Sequence, residues 1–178
     1  MRRLILALLL IAAPAAAQQP IRFVAFGDMP YCQPTAPERC PAEEGRVARL
    51  MAAINAARPA FSIFVGDTKG GAELCTDEKV LRAFTWMGLA DHPLVYTPGD
   101  NEWTDCWQDR AGRFDPLERL ALIRARFFPD ALSLGRRPMP LLRQAGPTIE
   151  NARWVRDNVL FMTIHLPGSN NGRPAEPG

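Results

Sequence analysis

The chain has 178 residues, of which 47% are hydrophobic, with 21 Lys or Arg against 19 Asp or Glu. That composition is ordinary for a folded domain and excludes general disorder. Arg2 and Arg3 carry the whole formal excess of +2, so acids and bases cancel from residue 18 onward. The chain therefore has the electrostatic footprint neither of a nucleic-acid binder nor of a polybasic membrane binder.

Met1-Arg2-Arg3 is a basic start, Leu4 to Ala13 an apolar run, and Ala15-Ala16-Ala17 a small-residue cleavage site. This pattern predicts a cleavable signal peptide over residues 1–17, too short to anchor in a bilayer. Residues 18–178 then form one exported domain, periplasmic or secreted, with no membrane span, because no later apolar run reaches the roughly 18 residues a span needs. Gln18 rather than a cysteine follows the cleavage site, so no lipid attachment is expected.

Ile21 to Phe26 is an apolar, aromatic-rich run ending at Gly27-Asp28, which reads as a buried strand feeding a loop. Val47, Leu50, Met51 and Ile54 fall at i, i+3, i+4 and i+7 and predict an amphipathic helix over 43–57, stopped at Pro59. Phe61 to Val65 is a second strand ending at Gly66-Asp67, and residues 77–87 a second helix with Val80, Leu81, Phe84 and Met87 on one side. Pro93 to Tyr96 is a third strand, followed by Pro98-Gly99-Asp100. Asp115 as N-cap, Pro116 at the first helical position and Glu118 placed for a capping box open a third helix, with Leu120, Ile123 and Phe127 inward. A proline-rich loop follows, and residues 148–156 and 158–164 read as two strands joined at Asp157-Asn158, the second ending at His165. This alternation predicts an α/β domain with an at least partly parallel sheet.

Cys32, Cys40, Cys75 and Cys106 in an exported chain read as disulfides, and four cysteines allow three pairings. The preferred one is Cys32–Cys40, closing a short proline-rich loop, with Cys75–Cys106 joining two loops that follow different strands. A zinc site is the rival reading, but the short paired spacings of structural zinc are missing.

Asp28, Asp67 and Asp100 each follow a glycine at a predicted strand end, and His165 ends a fourth strand. In an open α/β sheet, ligands bind beyond the carboxyl ends of the strands, so these residues are expected to converge. Carboxylates gathered without a cation repel and raise one another's pKa values, which one or two divalent metals would relieve. A carboxylate shared by two ions would hold them about 3.5–4 Å apart, suited to phosphoryl transfer. Each Gly-Asp is by itself a common turn, and the metal reading rests on the repetition. His92 lies at the amino end of a strand and is read as structural. The four tryptophans are read as packing residues, with Trp103 and Trp107 as possible substrate platforms. Glu102 either supports the site or caps a turn.

The motifs Gly27-Asp28-Met29-Pro30, Gly66-Asp67-Thr68-Lys69, Gly99-Asp100-Asn101-Glu102 and Phe161 to His165 resemble, in order, those of the calcineurin-like metallophosphoesterase superfamily. The resemblance implies a layered sandwich of mixed sheet flanked by helices, incomplete at the carboxyl end, and a metal-dependent phosphoesterase acting on a small phosphorylated substrate. By analogy Asp28 would bind the first metal, Asp67 would bridge, and Asp100 and His165 would bind the second, with Mn, Fe or Zn as candidate ions. Asn101 stands where the family has the histidine that serves as leaving-group acid, and is the candidate catalytic position. The sequence also departs from the pattern. Pro30 replaces a histidine ligand, Gly70 stands where the purple acid phosphatase branch has a tyrosine, and Asp100 replaces an asparagine. No Gly-His-x-His is present, since His92 and His165 are the only histidines, and the closing pair is expected downstream of Gly178. The competing expectation is a non-catalytic binding module that keeps the fold with a degraded metal site.

Overall fold

Three short parallel strands form the first sheet of the computed structural model, which describes residues 20–32 and 35–168. They are β1 (Val24–Phe26), β2 (Ser62–Phe64) and β3 (Leu94–Tyr96), in the order β1-β2-β3. Three helices alternate with or follow them: α1 (Cys40–Ala57), α2 (Asp77–Met87) and α3 (Pro116–Phe127). Helix α1 opens three residues earlier than its apolar periodicity predicts. Pro41 lies in its first turn, where a missing N–H is no loss, and Cys40 is tied to Cys32. Helix α2 is capped by Thr76, whose side chain accepts from the Lys79 amide at 3.4 Å. Helix α3 is capped as expected, with Asp115 accepting from the Glu118 amide at 2.9 Å. The inward stripes Val47, Met51 and Ile54 of α1, Val80, Ala83 and Met87 of α2, and Leu120, Ile123 and Phe127 of α3 are all buried. They close over Phe64, Leu94 and Tyr96 to make the main core.

A second, separate sheet is antiparallel: β4 (Leu142–Arg143), β5 (Ala152–Arg156) and β6 (Val159–Thr163). Strands β5 and β6 join at Asp157 and Asn158, with φ of 48° and 64°. Two adjacent left-handed residues of the Asp/Asn type suit the twist of a tight hairpin. The strand predicted from Thr148 starts only at Ala152, because residues 148–151 close a turn through the Asn151 amide and the Thr148 carbonyl at 3.0 Å. Phe61 and Val95 of the parallel layer meet Leu141, Ala152 and Trp154 in a smaller core. There the Phe61 and Trp154 rings pack edge to face at 5.3 Å, which fastens the second sheet to the first. The fold is thus mixed α/β. Among the described residues no helix is long and apolar enough to cross a membrane, and the signal peptide expected at 1–17 lies outside them.

Both expected disulfides are present, Cys32–Cys40 with Cα atoms 4.9 Å apart and Cys75–Cys106 at 5.7 Å. Two such bonds point to an oxidising compartment. Cys75 and Cys106 are fully buried and tie the loop after β2 to the loop after β3 across 31 residues of chain. Replacing both by Ala is expected to cost about 2–4 kcal/mol, read from urea unfolding under non-reducing conditions. A loss well below about 1 kcal/mol would mean that the two loops hold each other without the bond.

Candidate functional site

Parallel pairing sets Phe26 beside Phe64 and Phe64 beside Tyr96, so all three strands end at the same edge. Gly27-Asp28 follows at once, Gly66-Asp67 after one residue and Gly99-Asp100 after two. Asp28 and Asp67 hold left-handed backbone angles, φ 64° and 61°, which Asp tolerates better than most residues. The Asp28 amide donates to the Gly66 carbonyl at 2.9 Å and the Met29 amide to the Asp67 carbonyl at 3.0 Å, locking the first two loops together. The second and third loops touch through glycine. A Cβ on Gly99 would stand 2.0 Å from Asp67 Oδ1, and one on Gly66 2.2 Å from the Gly99 nitrogen.

The side chains at this edge form a continuous polar network. The Tyr31 hydroxyl donates to Asp28 and lies 3.4 Å from Asp67 Oδ2. Asn101 Nδ2 donates to the Tyr31 oxygen at 3.3 Å, and the Asn101 amide to Asp67 Oδ1 at 3.4 Å. Glu102 both caps the turn and supports the site. Its Oε1 accepts from the Gly99 amide at 2.9 Å and from Tyr96 at 2.8 Å, while Oε2 accepts from the Asp67 amide at 3.2 Å. Beneath them Lys69, fully buried, donates to the Gly70 and Glu73 carbonyls at 3.1 and 3.0 Å.

The electrostatics follow from burial and crowding. Desolvation, with the charge of Glu102 and then those of Asp100 and Asp28, pushes the Asp67 carboxyl up to about 7 against the pull of the Asn101 amide. Burial also raises Glu102 and Tyr31, the latter further through its hydrogen bond to Asp28. Burial lowers Lys69, opposed by Glu102, Glu73, Asp105 and Asp67.

Asp67 and Asp100 line a cavity of about 530 Å³, together with Thr97 and the apolar side chains of Val65, Met162 and Ile164. Gly168 closes one wall so tightly that a Cβ there would lie 2.2 Å from Asp100 Oδ2. The structure therefore brings Asp28, Asp67, Asp100 and Asn101 to one edge. His165 reaches the same region, but both its ring nitrogens are engaged, Nδ1 with Glu150 Oε1 at 2.9 Å and Nε2 with the Trp103 indole N–H at 3.2 Å. Among the described residues no three His, Cys, Asp or Glu side chains are grouped to hold a metal ion. The side-chain donors at this edge are carboxylates and a phenol, oxygen groups of the kind that hard cations take. As placed, His165 has a protein partner on each ring nitrogen.

Tyr31, Lys69 and Glu150 join this network without having been singled out from the sequence. Tyr31 had a signal, standing three residues past the first Asp in the loop closed by Cys32–Cys40. Glu150 had none, since its partners Arg124 and His165 are 26 and 15 residues away. Trp103 is buried, whereas Trp107 is 63% exposed on the surface. His92 is buried against the Ser62 hydroxyl at 2.9 Å, in keeping with its structural reading. No family model, no curated protein and no solved structure matches the chain.

Proposed function

We propose that the chain is an exported metal-dependent phosphoesterase with the layered sandwich of the calcineurin-like metallophosphoesterases. The observation that carries this reading is the gathering of Asp28, Asp67 and Asp100 at one edge of a parallel sheet, with the Asp67 carboxyl raised to about 7. Crowded carboxylates of this kind are the arrangement that a bound cation stabilises. Asp67 and Asp100, which line the cavity, and Asp28, joined to Asp67 through the Tyr31 hydroxyl, would have to draw their side chains together to hold it. All are oxygen donors, which favours Mn or Mg over Zn or Fe. When bound, such an ion acidifies a coordinated water and polarises a phosphoryl oxygen.

The chain's own residues supply the remainder. Glu102 fixes Asp67 through its backbone amide. Asn101 can donate a hydrogen bond to a phosphoryl oxygen but has no proton to give a leaving group, which removes general-acid help of about 10²–10⁴-fold. The apolar wall of Val65, Met162 and Ile164 suits the organic half of an ester. Phosphate esters with good leaving groups, aryl phosphates in particular, are the expected substrates.

Calorimetric titration with Mn²⁺ and hydrolysis of an activated aryl phosphate form the test. Binding near one ion per chain is expected, with turnover at least tenfold faster on the aryl than on an alkyl phosphate. No Mn²⁺ or Mg²⁺ binding and no turnover would defeat the reading. The Asn101 amide in the acid's place favours a second one, a binding module without catalysis. Tight Mn²⁺ binding with no hydrolysis even of the activated ester would select it.

A further inference from the structure

We propose that His165 is a positioning residue and not a metal ligand: it fixes the Asp100 loop by accepting the Trp103 indole N–H, and is itself held by Glu150 and Arg124. His165 is 8% exposed and Glu150 1%, so the pair is sealed from water. Glu150 Oε1 takes Arg124 Nη2 at 2.7 Å, and Oε2 takes Arg124 Nε at 3.1 Å. Both Glu150 oxygens face the donor-only Arg124 guanidinium, so Glu150 accepts and His165 Nδ1 carries the hydrogen between them. An indole N–H is a donor only, so the lone pair on Nε2 is the one that meets Trp103. Both ring nitrogens are spent inside the protein. The backbone is pinned as well, with the His165 amide donating to Asn151 Oδ1 at 2.6 Å.

Trp103 transmits the constraint. The Asp100 carbonyl accepts from the Trp103 amide at 3.2 Å, the Thr104 hydroxyl at 3.1 Å and the Asp105 amide at 3.0 Å. Asp100 thus sits at the head of a tight turn whose next wall is the buried indole. Gly168, three residues after His165, abuts the Asp100 carboxylate. A single run of contacts, Arg124–Glu150–His165–Trp103–Asp100, connects helix α3 through the segment after β6 to the edge of the parallel sheet. A ligand histidine needs a free nitrogen, whereas a positioning histidine needs two partners, and His165 has two.

The test has a metal-free arm and a metal arm, and only the second rests on the cation site proposed above. Gln at position 165 can still accept from the indole and donate to Glu150 but has no imidazole nitrogen. In the metal-free protein, amide hydrogen exchange at Trp103 and Asp105 is expected to speed up at least tenfold in His165→Ala and in Trp103→Phe. It should stay within about threefold of wild type in His165→Gln, and the double variant should be no worse than either single. In the Mn²⁺ titration, Trp103→Phe is expected to weaken binding at least tenfold while His165→Gln binds as wild type does. A ligand role predicts instead that Trp103→Phe, which releases the Nε2 lone pair, keeps or tightens the ion. That result, or unchanged exchange at both amides in His165→Ala, overturns the proposal. Wild-type protein that binds no Mn²⁺ overturns the cation site alone and leaves the exchange arm to decide the positioning role.

Discussion

Asp67→Asn is expected to abolish much of the stability loss that the metal-free protein shows as pH rises from about 4 to 7. The Asp67 carboxyl titrates near 7 in the fold, against 3.8 when unperturbed. Between those values the folded chain keeps a proton that the unfolded chain has released. The associated stability is complete below the unfolded pKa and is lost as pH rises through the folded one. One pKa unit corresponds to about 1.4 kcal/mol, and solvent screening at this half-buried carboxyl reduces the full shift, so the loss is on the order of 1–3 kcal/mol. Glu150 does not interfere, because its carboxyl is held at about 2 and its contribution is lost only in stronger acid. Urea unfolding at pH 5 and pH 7.5 provides the measurement. Wild type should be less stable at the higher pH, and the Asn variant should fall by clearly less, since what remains comes from other buried groups, Glu102 lowering stability as pH rises and His92 acting the other way. The opposite trend applies to added Mn²⁺, which competes with the proton, so its stabilisation of wild type should be larger at pH 7.5. Equal wild-type stability at the two pH values would show that the strand-end carboxylates are not in conflict.

Gly66→Ala is the second substitution expected to do large damage, on the order of 4 kcal/mol or more. Gly66 has φ 92°, a conformation that costs an L-residue roughly 1–2 kcal/mol by itself. A methyl there would also meet the Gly99 nitrogen at 2.2 Å, the Gly99 Cα at 2.6 Å and the Pro98 carbonyl carbon at 2.8 Å. Those are backbone atoms, so no rotamer change relieves the contact, and the third loop must move off the second. Asp67 and Asp100 would separate, and cation affinity should fall with stability. Gly146→Ala serves as control, since it has φ 88° but no atom within 4 Å of the added methyl. Its cost should be the backbone strain alone. If the two variants unfold at the same denaturant concentration, close packing of the Gly66 and Gly99 loops is not what shapes this edge.

Those two loops also mark the boundary between what was legible in the sequence and what was not. A short apolar run followed by Gly-Asp is a local signal, because burial selects the run and glycine permits the close turn after it. Three such signals, with helices between them, imply parallel strands whose ends share one edge, and the register of β1, β2 and β3 bears that out. Asp115 as a cap, Asp157-Asn158 as a hairpin turn and the pairing of four cysteines by loop position are legible for the same reason. Each depends on neighbours in the chain or on which loop a residue occupies. The division into two sheets is different. The two-residue strand β4 lies in a proline-rich stretch with no periodicity and exists only because β5 runs beside it. The environment of His165 is different too. Hydrophobic period tells which face of a strand is buried, but not which polar atoms will meet there. Trp103 lies 62 residues before His165, and Arg124 lies 26 before Glu150. Whether a strand-ending histidine points a free nitrogen at a cation or spends both nitrogens on its neighbours was decided by tertiary packing alone, because contacts between such distant residues leave no mark on local sequence.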